Sequence, residues 1–61
     1  MTLAEARRKI QQAIDTNGPV SHNICSLVLM GISKDFGPKT ANKLIRDFDL
    51  ESLYGIQEVN G

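Results

Sequence analysis

The sequence predicts an all-α fold, a small three-helix domain with a short C-terminal helix. Apolar residues recur at three- and four-residue spacing along most of the chain, the pattern of helices with one buried face. Glycine and proline separate these segments, and no strand-like alternation is visible. Sixty-one residues make one domain, 1–61. Within it we expect residues 57–61 to fray, because they offer little to bury.

The first helix begins at a capping box formed by Thr2 and Glu5. Asn17-Gly18-Pro19 ends it, with Gly18 as the expected left-handed cap and Pro19 preventing continuation. The residues expected on its buried face are Leu3, Ala6, Ile10, Ala13 and Ile14.

The second helix begins at Ser21, or at Val20-Ser21, and is apolar nearly all round. Its apolar residues are Ile24, Cys25, Leu27, Val28, Leu29, Met30 and Ile32. Such a helix is either central and buried or shared with a second subunit. Gly31 either lets another helix approach closely or marks a break. A chain this short is marginal without a disulfide, a metal or a partner, so we predict a homodimer through this helix.

The third helix is amphipathic, with Pro38 at its first position. Ala41, Leu44, Ile45 and Phe48 fall on one face, and Lys39, Lys43 and Arg46 form a basic stripe on the opposite face. Asp49 is expected to cap a short fourth helix that ends at Gly55. From that helix Leu50, Leu53 and Tyr54 would fold back on the core.

Composition restricts the possible chemistry. Seven basic and seven acidic residues cancel, whereas a DNA-binding domain is expected to be clearly positive. One His and one Cys supply neither a catalytic set nor four zinc ligands, so we predict no enzyme, no metal site and no cofactor. The start of the chain does not look like a signal peptide, and no apolar run could span a bilayer. A free cysteine then suits the cytoplasm.

A phosphate contact is chemically sensible at the start of the third helix. Gly37 allows a tight turn, with positive φ if required. The amides that follow lie at a helix N-terminus, where the dipole favours an anion, and Lys39 would reinforce them. The alternative is an ordinary helix–helix corner with a solvated lysine.

Residues 36–53 resemble the second half of a helix-hairpin-helix DNA-binding motif. The likeness lies in Phe36-Gly37-Pro38-Lys39-Thr40-Ala41, in the apolar spacing that follows to Phe48, and in Leu50-Glu51-x-Leu53. It implies that Gly37 presents its backbone to a DNA phosphate, that Lys39 makes the ionic contact and that Lys43 assists. A weaker resemblance is the helix-turn-helix, carried by residues 32–37.

Two functions follow from these observations. The favoured one is a DNA-binding module that contacts backbone phosphates through Gly37, Lys39, Lys43 and Arg46, motivated by the glycine turn and its basic stripe. The second is a protein–protein interaction module, such as a regulator or inhibitor of a larger complex. Zero net charge and the over-apolar second helix favour the second function. So does Lys34-Asp35, which stands where the helix-hairpin-helix family carries Pro-Gly.

Overall fold

The computed structural model of the chain describes residues 1–59, and over these residues the all-α prediction is confirmed. The helices are α1 (Leu3–Thr16), α2 (Ser21–Phe36), α3 (Pro38–Asp47) and α4 (Leu50–Tyr54). Helix α2 packs against both α1 and α3, and α4 packs against α3. In the part of the chain that is described, no helix has the length and apolar character needed to cross a membrane.

Helix α1 begins as predicted and ends differently. The Thr2 hydroxyl accepts from the Glu5 amide at 3.1 Å, and the Glu5 carboxylate accepts from the Thr2 amide at 3.4 Å. At the other end the left-handed residue is Asn17, with φ 47°, and not Gly18 as predicted. Asn adopts this region more readily than most residues, so it can cap the helix without the glycine.

Ser21 links the end of α1 to the start of α2 by hydrogen bonds. Its side chain is buried, its hydroxyl donates to the Ala13 carbonyl at 2.8 Å, and it accepts from the Gly18 amide at 2.9 Å. The N-cap of α2 is Val20, which makes no capping bond with its side chain. Ser21 therefore stabilises the corner between two helices rather than the start of one.

One contiguous core joins the four helices. Its buried members are Ala6, Ile10, Ala13, Cys25, Val28, Leu29, Ile32, Ala41, Leu44, Ile45 and Leu50. The predicted buried faces of α1 and α3 are thus largely confirmed, with Ile14 and Phe48 at the edge. Leu3 and Leu53 are corrections, since both are exposed. They lie in the first turn of α1 and in the short α4, where little surrounds them.

Cys25 lies fully inside this core, and its burial raises the pKa of the thiol. Because the thiolate is the reactive form, we expect the folded protein to react with a disulfide reagent at least ~100-fold more slowly than the unfolded chain. Following absorbance of the released thiol with and without denaturant measures this ratio. Equal rates in the two states would mean that the α1–α2 packing opens readily.

A single residue, Gly37, separates α2 from α3. Its φ of 96° confirms that the turn uses a conformation that L side chains rarely adopt. Its amide donates to the Ser33 carbonyl at 2.9 Å and so closes α2, while Pro38 opens α3 as predicted. The tight corner sets α3 directly against α2.

The start of α4 differs from the prediction for Asp49. This residue has a left-handed backbone, φ 56°, and its side chain makes no capping bond. An N-cap side chain reaches the first free amides when its own backbone is extended. The left-handed conformation of Asp49 therefore explains the missing cap.

Candidate functional site

The basic stripe of α3 is present but mostly paired with acidic residues. Lys43 Nζ lies 3.0 Å from an Asp47 carboxylate oxygen, and an Arg46 guanidinium nitrogen lies 3.0 Å from a Glu58 carboxylate oxygen. Lys39 makes no ion pair with any residue in 1–59. Of the three predicted cationic contacts, only Lys39 is thus open to an outside anion without breaking a contact of the fold.

Asp47 connects α1 to α3. One of its carboxylate oxygens accepts from Arg7 at 2.8 Å and from Lys43 at 3.0 Å. The Arg7 guanidinium also lies over the Phe48 ring, 5.9 Å from its centroid. Hydrogen bonding to Arg7 first, and to Lys43 second, lowers the pKa of Asp47 below its ordinary value of 3.8. This is an electrostatic link between α1 and α3, and it engages Lys43 of the basic stripe together with Arg7 of α1.

We expect this link to make stability depend on pH at the acidic end. A carboxyl whose pKa is lowered by folding stabilises the folded state above its ordinary pKa, and that contribution disappears as pH falls through the lowered value. Asp47→Asn should therefore lower Tm near about pH 7 and change it little near about pH 2. Thermal melts of both proteins at the two pH values measure the difference. An equal loss at both would show that Asp47 acts by packing alone.

The glycine hairpin offers fewer amide donors than the family resemblance implies. The Gly37 amide is already bonded to Ser33, and Pro38 has no N–H. The Thr40 hydroxyl donates to the Phe36 carbonyl at 3.4 Å, so it also serves the corner. Lys39 lies in the first turn of α3, two residues after Gly37, while Lys43 and Arg46 follow along the helix with acidic partners.

The segment after α4 lies against α3. The Asn42 side-chain amide donates to the Val59 carbonyl at 2.7 Å and accepts from the Val59 amide at 2.9 Å. Together with the Arg46–Glu58 pair, this holds residues 58–59 on the helix, in a stretch for which the sequence predicts fraying. Residues 60 and 61, also covered by that prediction, lie outside the described part of the chain.

The outer face of α2 carries the most prominent apolar surface. Leu27 and Met30 keep 66% and 67% of their surface exposed, and Val20 and Ile24 continue the stripe towards the start of the helix. We call these four residues the α2 stripe. Of the two alternatives that the sequence leaves open for α2, a helix that is buried all round is not what the single chain shows. Among the apolar residues of α2 only Cys25, Val28, Leu29 and Ile32 are buried.

Comparison with protein-family models finds no match, and neither the curated proteins nor the solved structures contain a significant one.

Proposed function

We propose that this chain is a small protein-interaction module that assembles with a second copy of itself through the α2 stripe. The supporting observation is the exposure of three large apolar side chains of α2, Ile24, Leu27 and Met30, and of Val20 at its N-cap. Grouped apolar exposure of this kind is uncommon on monomeric proteins and typical of interaction sites. The alternative, a DNA-binding module, would need the basic stripe that the fold largely pairs internally.

The charge pattern suits self-association. No Asp, Glu, Lys or Arg occurs from residue 16 to residue 33, a range that contains the whole stripe. The stripe itself therefore brings no like charges together in a symmetric contact, although Lys9 and Lys34 lie at its borders. In an antiparallel pair of α2 helices the two helix dipoles also point in opposite directions, which favours the contact.

Gly31 adds an independent argument. The sequence allows two reasons for a glycine there, a break in the helix or the close approach of another helix. The helix does not break, and a Cβ atom built on Gly31 would have no neighbour within 4 Å. At about 100° per residue, Gly31 lies about 40° from Leu27 around the helix. The open space beside the stripe is where a helix of a second copy would approach.

The size of the chain favours the same partner. A domain of this length buries only about 60% of its unfolded surface and is marginal alone. A standard interface covers about 800 Å² on each partner, about one fifth of the 4072 Å² that this chain exposes. The α2 side of the molecule is therefore a realistic interface, and its burial would stabilise the fold by mass action.

Gly31→Gln tests the proposal while preserving the fold. Replacing a mid-helix glycine by a helix-forming residue stabilises the monomer by about 0.5–1 kcal/mol. The same side chain would fill the space that the second helix needs, so we expect at least ~10-fold weaker dimerisation. Sedimentation equilibrium and thermal melts at low concentration report the two effects separately. Unchanged association in a stabilised variant would contradict this interface.

A second candidate function is DNA phosphate binding at the α2–α3 corner, favoured by the positive φ of Gly37 and by the unpaired state of Lys39 within the described chain. It predicts DNA affinity that falls with salt, with a log–log slope of about −0.9 per phosphate contact. It also predicts that Lys39→Glu removes most of that binding. Absence of measurable binding at low salt would leave the interaction module as the function.

The proposed module is a non-enzymatic regulator that acts in the cytoplasm. Cys25 supports the compartment, because a buried thiol with no disulfide partner in its own chain suits a reducing environment.

A further inference from the structure

A groove runs between α2 and α3, bordered by the segment that follows α4. Leu29 and Met30 of α2 and Ala41 and Ile45 of α3 form its apolar walls, and the cavity measures about 420 Å³. Ile56, Gln57 and Val59 line one side of it without filling it, since Val59 remains 57% exposed. The groove therefore has room for side chains of another molecule beside those of the tail.

Two side chains on α3 bind residues 58–59 of the tail through different chemical groups. Asn42 bonds both the amide and the carbonyl of Val59, so it recognises backbone rather than side chain. Arg46, one turn later, pairs with the Glu58 carboxylate and so recognises charge. Backbone pairing combined with a side-chain pocket is how peptide-binding domains hold extended segments. Together the two contacts favour a segment in which an acidic residue pairs with Arg46 and the next residue offers its backbone amide and carbonyl to Asn42.

Beyond Ile56, which packs against the core, the tail is held by exposed contacts. It joins α4 through Gly55, whose φ of 71° lets the chain reverse direction at one residue. The Arg46–Glu58 pair is exposed, with 63% and 35% of the two side chains accessible. Exposed pairs of this kind contribute little to stability. Local opening of the tail therefore does not require the helices to unfold.

We propose that this groove is a binding site for an extended peptide of a partner protein, with the pattern aliphatic–x–acidic–aliphatic. The chain's own residues 56–59, Ile-Gln-Glu-Val, occupy its edge and are displaced when the partner binds. This inference rests on the proposed interaction function and adds to it a groove that adjoins the α2 stripe and shares Met30 with it, together with the chemistry of the partner. The partner's acidic side chain takes the place of Glu58 on Arg46, and its backbone takes the place of Val59 on Asn42.

Glu58→Arg in the full chain opens the groove, because it places two like charges together at Arg46. The probe is a fluorescein-labelled, amidated peptide with the sequence of residues 55–59, followed by anisotropy. A tethered tail competes at roughly millimolar effective concentration, so we expect the peptide to bind the variant at least ~10-fold more tightly than the unchanged protein. A peptide with Lys in place of its Glu is the matched negative probe.

The double variant Glu58→Arg with Arg46→Glu is the control for the tail, because it restores an opposite-charge pair and should return exchange of the Val59 amide to that of the unchanged protein. Exchange of the Val59 amide hydrogen shows whether the tail has been released. Released tails without tighter peptide binding would overturn the inference, and so would a Val59 amide whose exchange is unchanged in Glu58→Arg. Sedimentation of the same samples separates this failure from that of the α2 interface, since dimerisation does not involve Glu58.

Discussion

Leu44→Ala should remove a large part of the free energy of unfolding. Leu44 is 1% exposed at the centre of α3 and lies in the core cluster shared by all four helices. Truncating a buried leucine costs about 2–5 kcal/mol, because transfer free energy is lost and a cavity remains. A domain of this size has about 3–9 kcal/mol in total, so the loss removes much of its stability.

Leu53→Ala provides the matched control, being the same substitution at a residue that is 51% exposed. We expect it to cost less than about 1 kcal/mol. Chemical denaturation followed by circular dichroism compares the two variants, at one protein concentration because a dimer's stability depends on concentration. Similar losses in both would mean that Leu44 is not a core residue.

The second large effect is the loss of self-association in Leu27→Glu. Leu27 is 66% exposed at the middle of the α2 stripe, so in a symmetric pair it lies close to its counterpart. Glu favours helix as Leu does, and the monomer should fold normally. In the dimer two carboxylates would be desolvated together, and we expect at least ~100-fold weaker association.

Leu53→Glu places the same charge at an exposed leucine outside the stripe and should dimerise like the unchanged protein. Sedimentation velocity over a range of concentrations distinguishes the variants. If Leu27→Glu and Leu53→Glu both associated as strongly as the unchanged protein, that result would contradict the α2 interface. Loss of association in both would indicate a dimer held through α4 or a non-specific effect of charge.

Local signals in the sequence were sufficient for the helices and most of the core. The Thr2–Glu5 capping box, Pro38 at the start of α3 and the apolar spacing of Ala41, Leu44 and Ile45 all follow from interactions within a few residues. The exposed position of Leu53 could not be predicted this way. Spacing shows which residues share a face, and tertiary packing decides how much of that face is covered.

The site was harder to predict, because its contacts join distant parts of the chain. Arg7 and Asp47 are separated by 40 positions, and Asn42 and Val59 by 17. No local pattern identifies such pairs. The helical projection placed Lys39, Lys43 and Arg46 on one face of α3. It contained no information on Glu58, which lies beside Arg46 only because the chain turns at Gly55 after α4. That acidic partner changes the interpretation of the stripe from a free basic surface to a largely neutralised one.

The most direct test of the α2 interface is an isotope-filtered NOE experiment on an equimolar mixture of labelled and unlabelled chains at about millimolar concentration. If the account is correct, Leu27 and Met30 methyl groups will show contacts with the other chain. The absence of intermolecular contacts, or contacts confined to α1, α3 or α4, would contradict it.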